Sequence, residues 1–69
     1  MNNAHRLALI NQPYLKPKEV CELIGRSKPT VLKHLRTNGV EKTALGYWTD
    51  DIIRCFRLQG SIKRWKAEE

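Results

Sequence analysis

Three cations recur along one stretch of this chain, Lys28, Lys33 and Arg36, with the hydroxyls of Ser27 and Thr30 beside them. At helical spacing Lys28, Pro29, Leu32, Lys33 and Arg36 turn to one side, while Val31 and Leu35 turn to the other. Such cations donate hydrogen bonds to anionic oxygen. On a helix they suit phosphates, or the O6 and N7 atoms of guanine, where a correct pair gives about 1–3 kcal/mol of discrimination. Lys33 is the first candidate for a base contact, and Ser27, Lys28 and Arg36 complete the set. Thr30 lies in the first turn, where its hydroxyl either bonds a phosphate or caps its own helix. Leu32 either meets a thymine methyl or packs against the segment that follows.

A second group of cations, Arg54, Arg57, Lys63, Arg64 and Lys66, has no acid among it until Glu68. It is read as a grip on flanking phosphates or as a surface for an acidic partner. Catalytic chemistry finds no support. Asp50 and Asp51 are adjacent, so they diverge and serve a helix start better than an acid/base pair. His34 is expected to pack. Cys21 and Cys55 stand apart, without Cys-x-x-Cys spacing, and are expected as reduced thiols. With no nucleophile beside a base, no phosphate-cradling Gly loop and no metal-ligand spacing, the expectation is a non-enzyme without cofactor or metal.

The elements that must position the cations follow from local signals. Pro17 opens a helix to about Ile24, in which Val20, Leu23 and Ile24 form the buried stripe. Gly25 ends it, in a left-handed exit that needs no side chain. Ser27 and Pro29 then start a second helix, assigned to residues 29–38 and ended by Asn38-Gly39. From Val40 to Trp48 helical periodicity disappears, and a small hairpin is expected around Leu45-Gly46, with Lys42, Thr43 and Tyr47 in reach of a nucleic-acid backbone. Thr49 is the expected cap of a third helix, with Ile52, Cys55 and Phe56 inward. Gly60 is expected to interrupt it. Trp48 and Trp65 are read as core and docking residues. The segment before Pro13 contains Leu7, Leu9 and Ile10, and nothing local chooses between helix and strand.

Size and charge narrow the class. Sixty-nine residues make one thin-cored unit, since a chain this short buries only about 60% of its unfolded surface. The expected parts are an arm over 1–13, a DNA-binding domain over 14–60 and a basic tail over 61–69. Thirteen Lys and Arg face seven Asp and Glu, for a net charge of +6, which is the footprint of a phosphate-binding surface. No apolar run approaches the roughly 20 residues of a membrane span, and Ala4 to Ile10 lacks a signal peptide's pattern. A cytoplasmic protein is expected.

The run Tyr14-Leu15-Lys16-Pro17-Lys18-Glu19-Val20-Cys21-Glu22-Leu23-Ile24-Gly25, then Ser27 to Leu35, a short hairpin and Thr49-Asp50-Asp51-Ile52, resembles the excisionase-type, MerR-like winged helix-turn-helix proteins of phages and integrative elements. The resemblance covers roughly residues 14 to 57. It implies a mainly α fold with a small β-hairpin, whose second helix enters the major groove of double-stranded DNA. It further implies a recombination directionality factor that bends DNA, acts with further copies of itself and assists an integrase. Transcriptional regulation and a protein-binding adaptor role are the alternatives on the same scaffold. The sequence departs from the family's pattern at Lys16, Cys21, Arg26 and His34, and its Leu45-Gly46-Tyr47 tip lacks an Arg-rich wing.

Overall fold

The computed structural model describes residues 2–68. Among these the chain is mainly helical with one small antiparallel sheet. The segment that local pattern leaves open is helix α1, Asn3–Ile10. Its start is fixed by Asn2, whose side chain accepts a hydrogen bond from the His5 N–H at 2.8 Å, satisfying one of the free donors of the first turn.

Strand β1, Tyr14–Leu15, leads into α2, Pro17–Ile24. Lysine at position 16 cannot accept from the helix, so the start rests on Glu19: its carboxylate accepts from the Lys16 N–H at 2.9 Å and from the Gln12 side chain at 3.1 Å. This is the reciprocal half of a capping box. The backbone bond from Lys16 is the main cause that holds the Glu19 carboxyl below its ordinary value of 4.5. Gly25 closes α2 with φ of 76° and an N–H bond to the Cys21 carbonyl. After Arg26 and Ser27, α3 begins, running Lys28–Thr37, a one-residue shift from the expected span. Its far end closes through Gly39 N–H to the Arg36 carbonyl and Val40 N–H to the Leu35 carbonyl, a Schellman arrangement that satisfies two terminal acceptors.

The hairpin expected over Val40 to Trp48 is corrected by the structure. What exists there is a tight turn with one antiparallel bridge, Thr43 to Gly46. Strand β2, Tyr47–Trp48, pairs instead with β1, in the register Tyr14 to Trp48 and Leu15 to Tyr47. Alternation along β2 turns Tyr47 into the core and Trp48 outward, and Leu15 opposite Tyr47 is fully buried. The apolar pair thus selects the partner strand.

Helix α4, Thr49–Cys55, corrects a second expectation. Trp48 holds the cap position, and the buried Thr49 sends its hydroxyl to the Gln12 carbonyl. Its N–H reaches the Pro13 carbonyl at 3.1 Å. Thr49 therefore ties the end of the sheet to the segment after α1 instead of capping. Gly60 does not interrupt the helix either. The break falls at Phe56 to Leu58, where Arg57 takes the left-handed conformation with φ of 53°, and Gly60 lies inside α5, Gln59–Ala67. The buried Leu58 explains the placement, because a turn there delivers it to the core.

Arm and tail meet. Helix α5 packs on α1, with the Arg6 guanidinium 5.6 Å from the Trp65 ring centroid and the Asn3 amide donating to Glu68. Leu9, Leu15, Val20, Leu23, Val31, Leu35, Tyr47, Ile52 and Leu58 form one core, drawn from every helix but α5, whose Ile62 and Trp65 pack against it. Among the described residues no helix is long and apolar enough to cross a membrane.

Candidate nucleic-acid interface

Helix α3 is anchored by Val31 and Leu35, both almost fully buried. With these two turned inward, helical geometry fixes the directions of the remaining side chains. Lys28, Pro29, Leu32, Lys33 and Arg36 line one shallow depression, and no carboxylate lines it. The five residues that share a face in the sequence thus share a surface. Lys28, Lys33 and Arg36 are exposed, whereas Leu32 is half-buried and packs against the core. Its packing role is the one the structure displays, with its remaining surface forming the apolar floor between cations. None of the three cations has an ion-pair partner among the described residues.

Ser27 and Thr30 are both exposed, and their hydroxyls hydrogen-bond each other at 3.0 Å. Ser27 makes no side-chain bond to the helix backbone. One hydroxyl of the pair must donate to the other, so the pair retains one free proton at the helix start, where an anionic oxygen is favoured by the helix dipole. Thr30 itself turns toward a second groove, with Arg26, His34, Asn38, Phe56 and Arg57. His34 stacks on Phe56 at 4.6 Å between ring centroids, with its Nε2 3.3 Å from the Cys55 carbonyl; it packs by one face but is exposed and not half-buried.

The turn after α3 contributes less than its sequence promised. Tyr47 is only 7% exposed and belongs to the core, so it leaves the contact set. Thr43 donates its hydroxyl proton to the Gly46 carbonyl at 2.6 Å and accepts from the Leu45 N–H. With that proton committed, Thr43 shapes the turn and has none for a phosphate. Lys42 remains exposed. The exposed large hydrophobics are on this turn and strand, Leu45 at 65% and Trp48 at 47%, and Trp48 shields one face against Tyr14 with ring centroids 4.3 Å apart.

The second group of cations divides. Arg54 pairs with Asp51 one turn earlier on α4, so part of its charge is already answered. Arg57 faces the groove beside α3. Lys63, Arg64 and Lys66 are exposed on α5 while its Ile62 and Trp65 turn inward. Arg26, which the sequence marks only as a departure from the family's pattern, lines the same groove as Arg57; the tight Gly25 exit, placing position 26 between two helices, was the available signal.

Cys21 and Cys55 are free and half-buried, and burial pushes the Cys55 thiol up from its ordinary value of 9.0. Among the described residues no group of three or more His, Cys, Asp or Glu side chains is placed to hold a metal ion. No family model, no curated protein and no solved structure matches the chain.

Proposed function

We propose that this protein is a winged helix-turn-helix DNA-binding protein, in which α2 and α3 form the helix pair and α3 lies in the major groove of double-stranded DNA. The observation that carries this reading is the depression formed by Lys28, Pro29, Leu32, Lys33 and Arg36, which gathers three unpaired cations on an exposed helix and admits no acid. An α-helix about 10–12 Å across with its side chains fits a major groove of about 12 Å. In that groove Lys33 reads a guanine edge, Lys28 and Arg36 hold phosphates, and the Ser27–Thr30 hydroxyl pair meets a phosphate at the helix start.

Within this class we infer an excisionase-type recombination directionality factor of a phage or integrative element, working inside the bacterial cell. Its further partners are an integrase and additional copies of itself on neighbouring sites, with the exposed Lys63, Arg64 and Lys66 facing them. A small transcriptional regulator uses the same helix in the same groove. Marked bending at tandem sites favours the directionality factor, whose sites must be shaped for assembly with an integrase, and straight binding at a lone site favours the regulator. Binding to a selected duplex, followed by a gel assay of bend angle, tests both levels. Loss of binding in Lys33→Ala/Arg36→Ala with marked bending at tandem sites supports the directionality factor. Straight binding at a single site assigns the regulator, and binding untouched by the double substitution overturns the role of α3.

A further inference from the structure

A helix lying in the major groove has a phosphate strand on each side, so a grip on one flank leaves the other strand unanswered. The depression of Lys28, Lys33 and Arg36 occupies one flank of α3. On the other, Thr30, His34 and Asn38 form an i, i+4 row that lines a groove closed by Phe56, with Arg26 at one end and Arg57 contributed by the α4–α5 connection. No carboxylate lines this groove, and neither guanidinium has an ion-pair partner among the described residues. We propose that Arg26 and Arg57 form a second phosphate site, a clamp that takes a backbone phosphate of the opposite DNA strand with the Thr30 hydroxyl between them. This rests on α3 entering the major groove and adds two arginines, Arg26 and Arg57, that the major-groove contacts do not use; Thr30 is shared with them.

The backbone at Arg57 gives the proposal an independent footing. Arg57 is the one non-glycine residue with positive φ among those described, a conformation that glycine adopts freely and that costs an arginine stability. Glycine would make the better turn between α4 and α5. A chain that keeps arginine there retains a planar donor fork, suited to phosphate oxygens, at the expense of its own stability. His34 stacks on Phe56 and lies beside the Cys55 carbonyl, so the aromatic pair forms one wall of the groove.

Arg57→Gly separates a binding role from a structural one, because its two effects run in opposite directions. Relief of the left-handed strain raises the thermal midpoint by several degrees. Loss of the guanidinium weakens binding to a short random-sequence duplex roughly tenfold and lowers the slope of log K against log salt by about one, measured from about 50 to 200 mM. Arg26→Ala is expected to lower the slope by the same amount, and Arg57→Lys to retain most of the wild-type slope. An Arg57→Gly protein that is more stable yet binds with unchanged affinity and slope overturns the clamp; if Lys33→Ala/Arg36→Ala still abolishes binding, the α3 reading stands without it. A wild-type protein with no salt-dependent duplex binding removes the α3 reading, and the clamp with it.

Discussion

Gly46 stands where the 43–46 turn meets strand β1, and its replacement by alanine tests how that turn is held to the body of the domain. Its φ of 121° is a conformation that side-chain-bearing residues rarely adopt, which costs about 1–2 kcal/mol. A Cβ at this position also lies 2.6 Å from the Leu15 carbonyl oxygen and 3.0 Å from its carbon. Those atoms are backbone within a paired strand, so relief requires β1 to move, at a further cost of about 1–3 kcal/mol. The sum is about 3 kcal/mol, to be set against a total stability of roughly 3–10 kcal/mol for a chain of this length. Each kcal/mol shifts the midpoint of so small a domain by about 4–8 °C, so Gly46→Ala is expected to melt more than 10 °C lower (~3 kcal/mol). Gly60→Ala is the internal control. Its Cβ meets nothing within 4 Å in the first turn of α5, where alanine in place of glycine stabilises by up to about 1 kcal/mol. Thermal unfolding followed by far-UV circular dichroism reads both. A Gly46→Ala midpoint within a few degrees of wild type refutes the close approach, and a Gly60→Ala midpoint below wild type refutes the assignment of residue 60 to the first turn of α5.

Lys33→Ala is expected to weaken binding to a selected duplex and relax its base preference at one position, by about 1–3 kcal/mol in a competition assay; equal losses on all sequences would make Lys33 a phosphate contact instead. Glu19 has a lowered folded pKa, so its contribution is present above its ordinary value of 4.5 and fades as pH falls through the folded value. The stability advantage of wild type over Glu19→Gln should accordingly be constant at neutral pH and shrink below about 4.5. A gap that widens in acid contradicts the capping role. Cys55, half-buried with a raised pKa, should react in a Cys21→Ser background more slowly when folded than in urea; equal rates exclude its burial. Triple replacement Lys63→Ala/Arg64→Ala/Lys66→Ala leaves Ile62 and Trp65 in place, and it should lower cooperativity on tandem sites with single-site affinity nearly unchanged. Truncation at residue 61 is the wrong form of that test, because it also removes the contact of α5 with α1.

Local signals carried the helix pair. Pro17, Gly25, Pro29 and the Asn38-Gly39 stop bracket α2 and α3 to within a residue, because proline geometry and helix closure act over four residues or fewer. The same is true of the basic face of α3, which follows from Val31 and Leu35 alone. Where the sequence misled, the deciding contact was distant. Tyr47 reads as an exposed tip residue until it is paired with Leu15 across the sheet. Thr49 reads as a cap until Gln12 offers a carbonyl, and Gly60 reads as a breaker because a glycine is visible while the demand of Leu58 for the core is not. Arg26 and Arg57 share a groove although 31 positions separate them, and no periodicity links residues at that range. Lys16 shows the converse. A poor capping residue stands there, and Glu19, itself bonded by Gln12, supplies the reciprocal bond to its N–H.

The most direct test of the central claim is recovery of fragments of the source genome by the purified protein at about 150 mM salt, where non-specific phosphate binding is already weak. Recovery of a discrete fragment with repeated short sites, lost on Lys33→Ala/Arg36→Ala, is the predicted result. Uniform recovery, or none, contradicts sequence reading by α3.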